Sequence, residues 1–233
     1  MRGMKGDGIP LTPASGPLLP RKDLFAGTRA GRLGLMSRQV PSSALSCFDD
    51  LAQLYVEGVD YAVHVTRREK SAIAVAAPHG GKIEGRTSEV ARLIAGDEHA
   101  LYLFEGLRTT GDNFDCLHLG SHRFDEPRAL ELIAGCDTVV AVHGFAATGP
   151  DVLLGGLNDR LKRDVAQALA KVGLTYMIDG HRFPGRDPRN ICNRGRSGEG
   201  LQLELSSALR QAGDWSGLAS AVRGVLSRRS MVA

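Results

Sequence analysis

Residues 72–84 have the sequence AIAVAAPHGGKIE, an apolar run that ends in a histidine, two glycines and a glutamate. The apolar run predicts a buried strand. Pro78 is expected to end the pairing of this strand, and the two glycines allow a turn tight enough for the His79 imidazole and the Glu84 carboxylate to converge. The stretch therefore predicts a strand that delivers two metal-type ligands to the edge of a sheet.

A second stretch repeats this arrangement. Residues 138–144 have the sequence TVVAVHG, again a hydrophobic strand followed by a histidine and a glycine. In α/β sheets, ligands bind beyond the carboxyl ends of the strands, and His79 and His143 both follow such an end. The two strands are expected to share one site, although a lone histidine after a strand can also be a hydrogen-bonded structural residue.

The bulk composition is that of an ordinary globular protein. The chain has 233 residues, of which 42% are hydrophobic and 24% charged, enough for one sizeable core. It has neither a membrane-length apolar run nor the compact apolar core of a secretory signal, so a cytoplasmic location is expected, with release by lysis left open. The four cysteines form no Cys-x-x-Cys pair, which argues against a thiolate zinc ribbon or a disulfide scaffold.

Residues 1–45 differ from the rest of the chain. They carry a net charge of +5 within a chain of +3, which leaves −2 for residues 46–233. Their Gly, Pro and Ser content and their lack of periodicity predict a disordered basic tail before a single domain over 46–233. The tail either touches an acidic partner or is dispensable, and the slightly acidic domain argues against nucleic-acid binding.

From residue 46 onward, predicted strands and helices alternate. The predicted strands are 60–66, 72–77, 99–105, 117–121, 138–143, 174–178 and 201–205, and the predicted helices are 48–55, 89–95, 126–134, 157–171 and 215–227. Charged residues 67–70 are expected to form a hairpin turn between the first two strands. The alternation predicts an α/β fold with a mixed central sheet flanked by helices.

The strand predicted at 201–205 supplies a candidate general base. Its sequence, LQLEL, places Gln202 and Glu204 on one face and the leucines on the other. Glu204 is therefore either at an exposed edge or in a pocket. A zinc hydrolase needs His and carboxylate ligands, an open coordination position and a second carboxylate as proton acceptor. Glu84 and the two histidines would supply the ligands, and Glu204 the acceptor.

A long basic loop precedes that strand. Residues 181–196, HRFPGRDPRNICNRGR, hold five arginines and one aspartate. Arginine binds carboxylates through paired hydrogen bonds, so this loop is expected to hold an anionic substrate, the alternative being a solvated basic loop. His118 and His122 flank the end of another predicted strand and are candidates for contact with substrate or with the metal ligands.

Five short motifs occur in order between residues 48 and 210: PHGGKIE at 78–84, LH at 117–118 followed by FDEP at 124–127, VHG at 142–144, NICNRG at 190–195, and QLELS at 202–206. Together they resemble the phage-type poly-γ-glutamate hydrolases, a zinc-dependent family with a zinc carboxypeptidase-like fold. The His-x4-Glu spacing differs from the His-x2-Glu of the carboxypeptidases, which makes the latter relatives in architecture at most.

The resemblance implies a substrate and a set of roles. One Zn²⁺ per chain would be bound by His79, Glu84 and His143, and Glu204 would activate the water that attacks a γ-glutamyl amide of poly-γ-glutamate. The resemblance also implies that Arg194, with Asn193, engages a substrate carboxylate. His118 is a further candidate for substrate binding.

Two other functions remain open on the sequence alone. One is a zinc amidohydrolase or peptidase that acts on a different acyl-amide, because a metal site specifies the chemistry better than the substrate. The other is a non-catalytic replication or nucleic-acid accessory protein that uses the basic tail. A monomer is the default oligomeric state.

Overall fold

The computed structural model describes residues 40–146 and 149–230. The strands are β1 (Tyr61–Thr66), β2 (Ile73–Gly81), β3 (Ala100–Gly106), β4 (Thr138–Phe145), β5 (Val152–Gly155), β6 (Tyr176–Met177) and β7 (Leu201–Ser206). The α-helices are α1 (Phe48–Leu54), α2 (Thr87–Ala95), α3 (Asn113–Leu117), α4 (Pro127–Ala134), α5 (Asp159–Lys171), α6 (Ser207–Gln211) and α7 (Ser216–Ser230). Short 3₁₀ turns lie at Ser42–Ala44 and Ile191–Asn193.

The strands described form one mixed sheet in the order β1-β3-β2-β4-β7-β5-β6. The four central strands β3, β2, β4 and β7 are parallel to one another, whereas β1 runs antiparallel to β3 and β5 antiparallel to β7. Because β2, β4 and β7 are adjacent and parallel, their carboxyl ends meet at one edge of the sheet. This topology confirms the predicted mixed α/β fold and brings His79, His143 and Glu204 to the same edge.

Each face of the sheet has its own hydrophobic core. In β2, Val75 and Ala77 belong to the core on one face, and Ala74 and Ala76 to the core on the other. A strand covered on both faces needs an uninterrupted apolar sequence, which explains the run at residues 72–77. The helices cover both faces, so the central strands are a rigid support for whatever follows their ends.

Two predictions about local structure are wrong. The stretch 117–121 is the end of helix α3 and a loop, because the Asp112 carboxylate accepts hydrogen bonds from the Phe114 and Asp115 amides and begins a helix. Buried Leu117 and Leu119 on either side of His118 imitate the alternation of a strand. Residues 67–70 do not form a hairpin turn, because β1 pairs with β3 and not with β2.

The strand β5, at Val152–Gly155, was not predicted. It is only four residues long, and no alternation can be recognised over so short a stretch. It pairs antiparallel with β7 and so places Glu204 inside the sheet rather than at its edge.

Residues 40–45 belong to the folded structure, so the boundary predicted after residue 45 falls too late. Leu45 is buried in one of the two cores, and Arg123 donates hydrogen bonds to the carbonyls of Ser43 and Leu45. The rest of the predicted tail, residues 1–39, lies outside the described residues. Among the helices described, none has the length and hydropathy needed to cross a membrane.

Candidate metal centre and active site

The end of β2 brings the first two predicted ligands together. Pairing continues past Pro78, but the register with β3 shifts between Ala77 and Gly80, so the proline interrupts the strand rather than ending it. Gly81 has φ = 62°, and a Cβ there would lie 2.6 Å from the Gly106 carbonyl oxygen, so only glycine fits. The Glu84 amide donates to the His79 carbonyl at 2.8 Å, which closes the turn.

This turn places the Glu84 carboxylate against two buried imidazoles. Glu84 Oε1 lies 3.2 Å from His79 Nδ1, and Glu84 Oε2 lies 3.6 Å from His143 Nδ1. The Nδ1 atoms of the two histidines are 3.1 Å apart. The predicted convergence of the three side chains is thus observed, and they form a compact triangle in which one Glu84 oxygen faces each imidazole.

The opposite nitrogen of each ring is fixed by a hydrogen bond. His79 Nε2 lies 2.8 Å from the Leu119 carbonyl oxygen, which can only accept, so Nε2 carries a proton and Nδ1 is the nitrogen that faces the cluster. His143 Nε2 lies 3.3 Å from Ser121 Oγ. Such contacts orient the histidines of metal sites.

Glu84 is ionised despite its burial. Burial would raise the pKa of the carboxyl, but the charge of His79 and hydrogen bonds from His118, His143 and His79 lower it well below its usual range. Its Oε2 atom also accepts a hydrogen bond from the Gly144 amide at 2.9 Å. One carboxylate and two imidazoles are a donor set that Zn²⁺ takes in catalytic sites, where the metal replaces the protons that the imidazole nitrogens share with the carboxylate.

The spacing of the ligand atoms fits a tetrahedral metal ion. With metal–ligand bonds of about 2.0–2.2 Å, two ligand atoms of a tetrahedral zinc site lie about 3.3–3.6 Å apart. The distances found here are 3.1 Å between the two Nδ1 atoms, 3.2 Å from His79 to Glu84 Oε1 and 3.6 Å from His143 to Glu84 Oε2, so either carboxylate oxygen could join the two nitrogens as a ligand. The cluster could therefore hold a metal ion without rearrangement of its main chain.

His118 is also close to this cluster. Its Nε2 atom lies 3.2 Å from Glu84 Oε1, and ligand atoms of His79, Glu84 and His118 all lie within 4.8 Å of one another. Its ring stacks on Phe114 and lies 4.0 Å from the His79 ring, centroid to centroid. Its side chain is 25% exposed, so it faces the opening. His118 thus lies where it can contact either a metal ion or a bound substrate.

Glu204 extends from β7 beside this cluster. It is paired in register with His143 and is buried. Its Oε1 atom accepts a hydrogen bond from Gln202 Nε2 at 3.0 Å, and Asn190 Nδ2 donates to Gln202 Oε1 at 2.8 Å, which fixes the orientation of the Gln202 amide. Burial, and next the charge of Glu84, raise the pKa of Glu204 well above its usual range. One carboxyl is thus held ionised while its neighbour gains affinity for a proton, as in sites that use two carboxyls in different roles.

The ligand cluster and Glu204 form the floor of a cavity of about 570 Å³. Three phenylalanines line its wall, at positions 114, 145 and 183, and Arg182, Arg186 and Arg210 contribute positive charge. Of the two positions predicted for Glu204, an exposed edge or a pocket, the structure shows the pocket. Part of the arginine-rich loop also borders the site. Their spacing in the sequence does not distinguish these three arginines from the arginines that lie outside the cavity.

Asn193 and Arg194 lie away from the cavity wall that the described residues form. The Asn193 side chain is buried and accepts hydrogen bonds from the amides of Leu157 and Gly200. Arg194 donates to the carbonyl of Phe124 at 3.3 Å. These contacts hold loops together, so substrate binding by the two residues stays a prediction to which the geometry gives no support.

Arg210 joins three of the loops around the cavity. Its guanidinium donates to the carbonyls of Gly85 at 2.7 Å, Leu205 at 3.2 Å and Phe145 at 3.3 Å. These carbonyls follow β2 or lie at the ends of β7 and β4, the strands that carry the site. The residue therefore fixes the positions of the three strand ends relative to one another.

Replacement of Arg210 by glutamine is expected to lower the free energy of unfolding by about 2–4 kcal/mol, because partly buried carbonyls lose a charged donor. Urea denaturation measures this change. Arg196→Gln is the matched control, because Arg196 is exposed and pairs only with the exposed Asp137 among side chains, and its loss is expected to cost less than about 1 kcal/mol. Equal losses in the two variants would contradict the assigned role.

An α/β sheet with a His, Glu and His cluster at the carboxyl ends of its strands is typical of metal-dependent hydrolases. The family model for poly-gamma-glutamate hydrolase matches residues 45–214. The chain belongs to the poly-γ-glutamate hydrolase family, as the sequence motifs indicated.

Relatives of the chain occur in Bacillus subtilis (strain 168). The UPF0714 protein YndL is 37% identical over 155 residues, which cover 66% of this chain and 60% of YndL. The SPbeta prophage-derived UPF0714 protein YoqZ is 36% identical over 141 residues, 60% of this chain and 50% of YoqZ. The chain thus spans only about half to two thirds of the length of these curated relatives.

Two solved structures share the fold. A bacteriophage poly-gamma-glutamate hydrolase matches with a TM-score of 0.74 and 31% identity, over 81% of this chain and 99% of that structure. A zinc-free apo structure of YndL matches with a TM-score of 0.69 and 31% identity, over 79% of this chain and 95% of that structure. The predicted likeness to zinc carboxypeptidases stays a prediction.

Proposed function

We propose that this chain is a zinc-dependent hydrolase that cleaves γ-glutamyl amide bonds of poly-γ-glutamate. One Zn²⁺ would be held by His79, Glu84 and His143, and Glu204 would act as the general base. The observation that carries the proposal is the triangle of these three side chains, whose nearest nitrogen and oxygen atoms are 3.1–3.6 Å apart, with a second buried carboxyl beside it. Family membership and the zinc-free description of the YndL structure support the substrate and the metal.

A zinc ion, when bound, supplies Lewis acidity, which acidifies water toward neutral pH and polarises an amide carbonyl. Side chains of the protein carry out the proton transfers. The Gln202 amide holds Oε1 of Glu204 and leaves Oε2 free to accept the proton of the attacking water. The same carboxyl then protonates the leaving amine. The raised pKa of Glu204 suits a group that must take up and release a proton.

The cavity wall favours an extended anionic substrate. Phenylalanines give the wall apolar surface, and its three arginines lie among three acidic side chains, Glu84, Asp187 and Glu204. A carboxylate of an acidic polymer can pair with an arginine of this wall, whereas a neutral peptide offers no such partner. Cleavage of a different acyl-amide stays the alternative that a substrate panel tests. The monomeric state and a cytoplasmic location stay predictions.

The proposal predicts that the purified chain, loaded with one equivalent of zinc, shortens poly-γ-glutamate but not poly-α-glutamate. Size-exclusion chromatography follows the polymer length, and an amine assay counts the bonds broken. Chelation should abolish the activity and added zinc restore it. A zinc-loaded, folded chain that leaves poly-γ-glutamate intact would refute the substrate, and hydrolysis of another amide by that chain would favour the alternative.

A further inference from the structure

The arginine-rich loop differs from a uniformly solvated basic loop, because most of its arginines already have partners. Three of them pair with aspartates: Arg186 with Asp159 at 3.1 Å, Arg189 with Asp187 at 2.8 Å and Arg196 with Asp137 at 2.7 Å. A fourth, Arg194, donates to the Phe124 carbonyl at 3.3 Å. Three of these contacts join the loop to other elements, and the Arg189–Asp187 pair lies within the loop. These four guanidinium groups are poorly available to a ligand.

Arg182 is the exception. Among the described residues its guanidinium has neither a carboxylate nor a carbonyl partner, and its Cζ atom lies 4.7 Å from the centre of the Phe183 ring. It is exposed and lines the cavity. A guanidinium resting on an aromatic ring keeps all its N–H donors available.

The backbone on both sides of Arg182 is fixed. The Phe183 amide donates to His181 Nδ1 at 3.3 Å, and His181 Nε2 lies 3.1 Å from the Leu154 carbonyl oxygen. The Phe183 carbonyl accepts from Gln202 Nε2 at 3.3 Å, the same amide group that holds Glu204. Little backbone entropy is therefore lost when a ligand binds this arginine.

Arg182 also acts electrostatically on the reaction centre. Burial and the charge of Glu84 raise the pKa of Glu204, and the positive charges of Arg182 and Arg210 oppose this increase. Arg210 already donates to three carbonyls and to the Ser207 hydroxyl. Of these two cations near Glu204, Arg182 is the one that can bind a ligand.

The chemistry of a γ-linked glutamyl chain supplies the matching group. The γ-linkage uses the side-chain carboxyl of each unit, so every unit keeps its α-carboxylate a few bonds from the scissile amide. A carboxylate is the partner for which the planar guanidinium fork is suited. We infer that Arg182 binds the α-carboxylate of a glutamyl unit adjacent to the scissile bond, and so selects an anionic substrate. The role of Arg182 in hydrolysis rests on the proposed function. Its binding of a carboxylate does not depend on that function and can be tested separately.

The test compares two γ-linked glutamyl oligomers of equal length, one with free α-carboxylates and one with α-carboxamides. For Arg182→Gln, KM for the carboxylate oligomer is expected to rise about tenfold or more, with a smaller change in kcat. The carboxamide oligomer should be hydrolysed equally by the variant and the wild type. Arg182→Lys should recover part of the loss, because it keeps the charge but not the fork. Arg196→Gln, which removes the same charge from the same loop, should behave as the wild type.

Binding is measured in parallel by calorimetry in a Glu204→Gln background, where the oligomer is not consumed. Weaker binding of the carboxylate oligomer after Arg182→Gln, with unchanged carboxamide binding, supports the subsite even if the wild type hydrolyses neither oligomer, an outcome that would refute only the proposed function. An equal loss for both oligomers, or no loss for either, would overturn the role of Arg182 whether or not the chain is a hydrolase.

Discussion

Replacement of Glu204 by glutamine is expected to lower kcat for poly-γ-glutamate by about 10²- to 10⁴-fold, the usual contribution of a general acid–base group. Glutamine has nearly the same shape, and its amide oxygen can still accept the hydrogen bond from Gln202 that Glu204 Oε1 accepts at 3.0 Å. It cannot take up the proton of the attacking water. The loss should therefore fall on kcat, with little change in KM.

The same substitution should leave the thermal stability of the folded chain unchanged or raise it. Among the described residues the buried carboxyl of Glu204 has one hydrogen-bond donor and lies in the field of the Glu84 charge, and a neutral amide avoids the cost of burying a second negative charge. Calorimetric melting of the metal-free proteins measures this difference. Glu199→Gln is the matched control, because Glu199 is exposed, and it should change neither kcat nor Tm.

Two results would contradict this account. A Glu204→Gln variant as active as the wild type would remove Glu204 from the reaction. An inactive variant that also melts well below the wild type would mean that Glu204 supports the fold, and its activity would then say nothing about proton transfer.

The convergence of His79, Glu84 and His143 could be predicted from the sequence because its determinants are local. His79 and Glu84 lie on one turn, five positions apart. Between them, Gly81 adopts the positive φ of the turn, and Gly80 leaves room for Ser88 and for the Phe104 carbonyl. His143 and Glu204 follow or occupy apolar strands, and parallel strands bring such positions to one edge. The β4–β7 pairing aligns these two residues directly.

The sequence could not predict which arginines of the loop are available to a ligand in the cavity. All five arginines of residues 181–196 look alike in the sequence, and what separates them is the partner that each finds across the fold, such as Asp159 on α5 for Arg186. Asn193 and Arg194 match the family motif in sequence, yet their side chains contact loop backbone. Long-range pairing of this kind leaves no local pattern.

Removal of the two buried imidazoles is expected to abolish metal binding. His79→Ala and His143→Ala should each weaken zinc affinity by more than about 100-fold, because each removes a donor from the triangle, a larger change than the 10- to 100-fold typical of outer contacts. Metal content by mass spectrometry after dialysis measures this loss. The wild type should retain about one zinc per chain, as expected of a three-ligand hydrolase site.

His118→Ala distinguishes the two ligand sets that the geometry allows. His143 Nδ1 lies within 3.6 Å of both His79 Nδ1 and a Glu84 oxygen, and its side chain is only 2% exposed, whereas the side chain of His118 is 25% exposed and faces the opening. The His118→Ala variant should therefore keep its zinc and show a raised KM for poly-γ-glutamate. If it loses the metal while His143→Ala keeps it, the ligands are His79, Glu84 and His118.

Zinc should also stabilise the wild type against heat, because it binds the folded triangle and not the unfolded chain. At a free zinc concentration of 1,000 times Kd, the stabilisation is about 4 kcal/mol. The same zinc should leave the Tm of His79→Ala unchanged, since the triangle is then incomplete. If zinc stabilises His79→Ala as much as it stabilises the wild type, the zinc binds elsewhere in the chain. That result would contradict the proposed catalytic role of the cluster.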